Sequence, residues 1–542
     1  MTSTTNAAAT GGEIAVESLI ANGVDTLFGL PGVQLDHLFN ALHGAQQRLK
    51  VIHARHEQGA AYMALGYALA SGRVGAYAVV PGPGFLNTAA ALSTAYATHA
   101  PVLAIIGQIM SGAIGKGGGE LHELPDQGAI LAGLTRWSGI ARTPADVAGV
   151  MAGAFAALEA GRAPAGVELP ADVLRDETDS EPTAPVPVTA PRQPEAVDVE
   201  AAVDLLKSAE APLIWIGSGA LEAGDLVALL AERLGAGVGC RLQARGVVPD
   251  SSDWAVGMLD GKTLWHEADV ILAVGTRLHE QRKRWGLRPD QEVIRIDTDA
   301  AQFTRGTPPS VALHADARVA LLAILSGLGA GNARRVATRR ARVAEAKAEK
   351  KAAFEMTLAP QMAYIRAIRA ALPPDSVVVC DYTQIGYVAT AALPVEAPRR
   401  IITPGYQGTL GFGYATALGA KVARPDVPVV ALCGDGGFLF SATELATAVQ
   451  FGIPAVGVVF ADGAYGNVRR MQDEQHGGKL ISSDLSNPDF VRFAESFGAE
   501  ARRTEGPEGL GEALRWAIGR PGPTIIEVAM PRVPSPWRLL EP

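Results

Sequence analysis

Cysteine is scarce in this sequence, and its scarcity excludes a good deal. Only Cys240, Cys380 and Cys433 occur among 542 residues. They lie far apart and lack metal-ligand spacing, so neither a disulfide framework nor a cysteine-rich metal cluster is implied. Basic blocks are missing too. The net charge is −9, and no run of Lys and Arg is large enough to point to nucleic acid. No apolar run reaches membrane-spanning length, and the first eleven residues are small and polar, unlike a signal peptide. The expectation is a cytoplasmic protein with neither a membrane nor a nucleic-acid partner. What the chain does contain is ordinary globular material, 48% hydrophobic and 19% charged, with 61 glycines that suit tight βα turns.

The length allows about three domains of ordinary size. Strand-like and helix-like stretches alternate from Gly12 onward, with Thr26-Leu-Phe-Gly29, Leu49-Lys-Val-Ile-His53, Val74 to Val80 and Val102 to Ile106 as strands. Residues 177 to 198 are rich in Pro, Thr and acids and read as an exposed linker. A second alternating segment carries Leu213-Ile-Trp-Ile216, Val270 to Val274 and Val293-Ile-Arg-Ile296. The Ala/Arg/Lys/Glu run from Ala333 to Met356 predicts a helical connector. A third alternating segment follows. The fold class is therefore α/β, with three doubly wound parallel-sheet domains over 12–176, 199–330 and 358–532, joined by a linker at 177–198 and a connector at 331–357.

Two acids in the third segment carry most of the information. Asp435 stands in Gly434-Asp-Gly-Gly437, directly after an apolar run, and Asp462 follows the apolar run from Ala455 to Ala461. A helix-like stretch, Ala442 to Phe451, separates them. In a right-handed βαβ unit both carboxylates emerge at the C-terminal edge of one parallel sheet. A hard dication with oxygen ligands, itself bound to a diphosphate, fits that placement. An isolated Gly-Asp-Gly would be read as a turn; strand, turn, helix, strand and second acid in register are a different matter.

The segment resembles the diphosphate-binding element of thiamine diphosphate enzymes, in which Gly-Asp-Gly is followed some thirty residues later by Asn. In this chain that position is Asp462. The first domain extends the resemblance. His53-Ala-Arg-His-Glu57-Gln-Gly-Ala60 is similar to the His-Glu-x-x-Ala element of the acetolactate synthase, pyruvate oxidase and 2-oxo acid decarboxylase superfamily. Phe28-Gly-Leu-Pro31-Gly32, Gly82-Pro83-Gly84-Phe-Leu-Asn87, Ile105-Ile-Gly107-Gln108 and Gly408-Thr-Leu410-Gly411-Phe-Gly413 resemble further elements of it, in order. Residues alone would make Glu57 a first-turn glutamate favourable to a helix dipole.

The resemblance implies more. Glu57 would meet the aminopyrimidine ring of thiamine diphosphate, with Pro83 and Asn87 beside it. Thr383, Gln384, Gly434, Gly436, Gly437, Tyr465 and Gly466 would surround the diphosphate, and Gly408 and Leu410 would hold the cofactor bent. Mg²⁺ would be ligated by Asp435, Asp462 and the carbonyl of Ala464. The site would draw Glu57 and Asp435 from different subunits, so a homodimer is the minimum and a homotetramer the expectation. The substrates would be a small 2-oxo acid and a carbonyl acceptor.

Substrate recognition is less legible. After Gly107-Gln108 the loop Ile114 to Gln127 is longer than its counterpart and differently composed, and Met471 stands where the biosynthetic enzymes have tryptophan. Gln108 and His122 are the candidates for catalysis beside Glu57, with Gln34, Glu123 and Gln127 as further substrate contacts. Arg469 and Arg470 read mainly as solvated, and His37 as structural. The flavin element Gly-Met-His-Gly appears only as Gly257-Met-Leu-Asp260-Gly261, so FAD is not expected. A flavin-linked 2-oxo acid oxidase and a non-catalytic paralogue are the alternatives to a decarboxylating or carboligating enzyme.

Overall fold

The computed structural model describes residues 8–306 and 308–540. Three six-stranded sheets, every neighbouring pair parallel, carry the chain. The first runs Lys50–His53, Thr26–Gly29, Gly75–Val79, Val102–Gln108, Ala165–Pro170, Trp137–Ile140 across its width. The third runs Ile401–Ile402, Val377–Cys380, Val429–Gly434, Val456–Ala461, Thr524–Ala529, Glu500–Glu505. Counted along the chain, both have the order 2-1-3-4-6-5. The central sheet, built from Leu213 to His314, has the order 3-2-1-4-5-6 of a doubly wound nucleotide-binding fold. The inner strands are short apolar runs buried on both faces, as parallel sheets covered by helices require, whereas the edge strand Glu500–Glu505 is charged and largely exposed.

One helix shows why the outer domains belong together. Glu57–Ser71 is rich in Ala, Leu and Met, starts where the His56 ring accepts the Gln58 amide, and ends at Gly72 with φ +76°. It is apolar on every side, and eleven of its residues are buried. Its partner is Gly413–Ala423 of the third domain. A methyl on Gly66 would come 1.9 Å from the Thr416 carbonyl oxygen, and one on Gly419 1.8 Å from that of Met63. The two backbones therefore touch, and the first and third domains share a single apolar core that includes Tyr62 and Phe412.

Two expectations are refined. The stretch after 176 is not a free linker at its start. Glu177–Thr178 pairs antiparallel with Ala9–Thr10, and the amides of Thr183 and Val186 donate to Ser18 Oγ and Asn22 Oδ1. Pro, Thr and acid content signalled extension but not this docking along the first helix. The connector helix, Ala333–Thr357, packs along the central domain, burying Val343 and Ala346 in that domain's core, and its C-terminal end buries Phe354 in the core of the third. Among the described residues no helix is long and apolar enough to cross a membrane.

Candidate active site

Three adjacent strands of the third sheet each end in an aspartate. Val377–Cys380 leads to Asp381, Val429–Gly434 to Asp435, and Val456–Ala461 to Asp462. The first two flank the point where strand order reverses, which is where open α/β sheets leave a crevice at their carboxyl ends. Asp435 is 1% exposed. Its Oδ1 accepts the Gly436 amide at 2.8 Å, and its Oδ2 accepts Gly463 N at 2.7 Å and Asn487 Nδ2 at 2.8 Å. Asp462 Oδ1 accepts the Ala464 amide at 3.3 Å. Burial, and then the charge of Asp435, push Asp462 up to about 6. A dication beside Asp462 would relieve that penalty.

The donor set fits that ion. It offers carboxylate oxygens, which hard cations prefer. Among the described residues no group of three His, Cys, Asp or Glu side chains is gathered for a metal. A dication here would complete its shell with backbone, diphosphate or water oxygens. Ala464 is held for this by its neighbours, since Tyr465 N donates to Ser483 O and Leu485 N to Gly463 O.

The other predicted diphosphate residues gather around the same edge. Thr383 precedes the helix Gln384–Ala392, and a methyl on Gly434 would lie 3.5 Å from its Cβ. A methyl on Gly466 would come 2.3 Å from Asp462 Oδ2 and 2.9 Å from Gln384 Nε2. Gln384 Oε1 is buried without a partner, which leaves an amide edge in this cluster open to a ligand. Gly436 is glycine because the Tyr465 ring occupies the space of a side chain, and Gly437 because Leu410 does. Leu410 thus sits over the Asp435 turn, and Gly408 lies against Tyr382.

Sequence reasoning missed Asp381 and Asn487. Asp381 is 3% exposed, accepts the amides of Gly413 at 3.0 Å and Tyr382 at 2.7 Å, and so ties the Leu410 strip to the sheet. Burial raises it to about 6. The signal was present, because Asp381 follows an apolar run just as Asp435 and Asp462 do. Asn487 sits in a loop with no pattern of its own.

In the first domain Glu57 opens its helix, half-buried, and its Oε2 accepts Asn87 Nδ2 at 3.0 Å. A methyl on Gly84 would lie 3.6 Å from Glu57 Oε1, so the Gly82-Pro83-Gly84 turn faces the carboxylate. That turn stands on a buried network. Gln127 Oε1 accepts the Gly82 amide at 3.0 Å, and Gln127 Nε2 donates to Gly107 O and to Glu168 Oε2. Gln108 Nε2 donates to the same Glu168 oxygen at 2.8 Å, and its Oε1 accepts Ile109 N. Gln108 and Gln127 are therefore committed to Glu168 and shape the turn; they do not reach out to a substrate. Glu168, absent from the sequence reading, is 4% exposed, and its burial raises its carboxyl above the usual range.

His122 pairs with Gln34, its Nδ1 lying 3.2 Å from Gln34 Oε1, while Gln34 Nε2 donates to Leu121 O. His122 has φ +70°, and its carbonyl fills the space beside Gly82, so a strained backbone packs against the Gly82 turn. Glu123 serves its own loop. Its carboxylate accepts the amides of Gly117, Gly119 and Glu120, which hold it below the usual carboxylate range. Arg469 is paired with Asp484, and Arg470 is buried and donates to Val533 O. The solvated reading of Arg470 is corrected by that burial. His37 is exposed on the helix Asp36–Gly44.

A parallel-sheet domain bearing paired aspartates at its C-terminal edge, closed core-to-core against a second such domain bearing a glutamate, defines a cofactor enzyme of the thiamine diphosphate class. Sequence comparison agrees. Residues 9–130, 199–324 and 381–528 match the N-terminal TPP-binding, central and C-terminal TPP-binding domains of thiamine pyrophosphate enzymes. The chain belongs to the thiamine diphosphate-dependent superfamily that includes acetolactate synthases and 2-oxo acid decarboxylases. It is similar to a probable 2-ketoarginine decarboxylase of Pseudomonas aeruginosa, 36% identical over 96% of this chain and 94% of that protein. It is also similar to the acetolactate synthase large subunit of Parasynechococcus marenigrum, 31% identical over 98% of this chain and 89% of that one. With the isozyme 3 large subunit of Escherichia coli it shares 30% identity over 94% and 92%.

Proposed function

We propose that the protein removes CO₂ from a small 2-oxo acid with thiamine diphosphate and Mg²⁺, and then releases the remaining fragment as an aldehyde or joins it to a carbonyl acceptor. The observation that carries this reading is the convergence of Asp435, Asp462, Thr383 and Gln384 at one sheet edge under Leu410. When bound, thiamine diphosphate would supply a nucleophilic carbon to add to the 2-oxo acid and an electron sink for the fragment left after loss of CO₂. Asp435 and Asp462, with the Ala464 carbonyl, hold the metal that grips the diphosphate. Leu410, over the Asp435 turn, would support the bound cofactor from below. Glu57 binds the pyrimidine ring and holds the proton that this ring exchanges.

Glu57 of one chain serves the cofactor bound at Asp435 of another, so the working unit is a homodimer or a homotetramer made of two such pairs. In the single chain Glu57 faces the Gly82 turn while Asp435 faces the Asp462 loop, which supports a site completed by a second copy. The reading for the central domain is flavin-free. The stretch Gly257-Met-Leu-Asp260-Gly261 has Leu259 after Gly-Met, where the flavin element has histidine, and its Asp260 is buried, accepting Gly257 N at 2.8 Å with Lys350 Nζ 3.5 Å away. Visible flavin absorbance in the purified protein would overturn that part.

The test is a CO₂-release assay with thiamine diphosphate and Mg²⁺ over a panel of 2-oxo acids that includes pyruvate and 2-ketoarginine, with products identified by mass spectrometry. Release with free aldehyde assigns a decarboxylase, and release with a hydroxyketone assigns a carboligase. No release from any acid sinks the proposal.

A further inference from the structure

The turn that presents Glu57 is built by the third domain of the same chain. Glu444 is 1% exposed and lies at the interface of the two outer domains. Both of its carboxylate oxygens accept the Arg55 amide at 3.1 Å, and Oε1 also accepts the His56 amide at 3.0 Å. Its Oε2 takes a further hydrogen bond from Thr447 Oγ1 at 2.7 Å, which fixes the rotamer. Immediately past Glu57, Gly59 has no side chain because a methyl there would lie 2.2 Å from Glu444 Oε1. The His56 ring then caps Gln58 N. Glu57 is thus bracketed: two bonded amides precede it, and a capped amide and a glycine packed on the same carboxylate follow it.

The grip extends along the segment. Gln450 Oε1 accepts Arg55 Nη2 at 3.1 Å, Gln450 Nε2 lies 2.8 Å from His53 Nε2, and the Phe451 ring packs edge-on against His53 at 5.1 Å between centroids. Residues 444 to 451 therefore hold the turn 53 to 56 at several points. None of these contacts reaches the expected cofactor residues, so Glu444 acts only through the turn.

We infer that Glu444 is the positioning residue for Glu57: its buried carboxylate, clasping the two amides that precede the glutamate, sets the direction in which Glu57 meets the cofactor. The inference rests on the proposed role of Glu57. A negative acceptor is required because several N–H and O–H donors converge on two oxygens. An amide offers one acceptor and brings donors of its own into the same space.

Glu444→Gln tests this. The readout is the rate at which the thiazolium C2 proton of bound thiamine diphosphate exchanges with deuterium, measured by quenched NMR and normalised to bound cofactor. It needs no substrate. The expected result is a fall on the order of 10- to 100-fold, as a displaced catalytic group produces, with cofactor affinity changed less than about threefold. Glu444→Asp, which shortens the reach but keeps the charge, should recover part of the rate. Exchange per bound cofactor equal to wild type would overturn the inference, even if melting temperature fell, because a merely structural residue behaves that way. Should Glu444→Gln not fold, Thr447→Val removes only the supporting hydroxyl, and unchanged exchange there counts equally against it. Glu57→Gln runs alongside. If it too exchanges normally, the failure lies with the proposed role of Glu57 and not with Glu444.

Discussion

Asp381 illustrates what burial does to a single side chain. Its carboxyl is carried to about 6, while an unfolded aspartate titrates near 3.8. The fold therefore favours the protonated form. The sign follows: below about pH 4 the group costs nothing, the cost grows as pH rises through the window to about 6, and above that it is complete. The shift corresponds to about 3 kcal/mol. Asp381→Asn should flatten the pH dependence of the melting temperature between pH 4 and 6 relative to wild type, and parallel curves for the two proteins would refute it. Two further substitutions belong at this scale. Glu57→Gln should abolish turnover while thiamine diphosphate still binds, and Asp435→Ala should remove cofactor binding measured by calorimetry in the presence of Mg²⁺. Single residues were legible where a period or a strand end framed them. Asp435, Asp462 and Glu57 each occupy such a place, whereas Asn487 and Glu168 act through contacts that only the folded chain creates.

At the scale of elements, the pairing of Glu57–Ser71 with Gly413–Ala423 governs how the outer domains meet. Gly66→Ala places a methyl 1.9 Å from a backbone oxygen that cannot rotate away. Overpacking of this kind costs about 1–3 kcal/mol and sometimes more, so urea unfolding should show a loss at the upper end of that range. Gly115→Ala serves as the contrast. Nothing lies within 4 Å of it, although its φ of +76° still imposes strain, and its loss should be the smaller of the two. Elements themselves were readable from apolar runs and glycine punctuation. Their mutual packing was not, because helix periodicity is silent in a helix buried on all sides. The loop Ile114 to Gln127 misled for a related reason. Its polar residues suggested substrate contacts, yet Glu123 and Gln127 satisfy backbone amides within the fold.

For the whole molecule, the decisive prediction concerns two copies. Glu57→Gln and Asp435→Ala are each expected to be inactive alone. Mixed by co-expression, random pairing should restore about one quarter of wild-type activity, because half of the dimers then carry one intact site of two. No recovery in verified mixed dimers would place both residues in a site made by one chain. The three-domain division was visible in the alternation of strand and helix patterns. The kinship of the outer domains was not, since strand order leaves no trace in composition.

That kinship carries a consequence of its own. Gly66 meets Thr416 and Gly419 meets Met63, so two helices three residues out of step with themselves exchange identical contacts. Each follows the second strand of a sheet with the same 2-1-3-4-6-5 order. Reciprocity of this kind is how identical subunits meet across a two-fold axis. The seam thus has the pattern of a pseudo-two-fold axis inside one chain, relating a half that carries the glutamate to a half that carries the aspartates. A side chain added to either glycine would strain the same seam, from opposite sides.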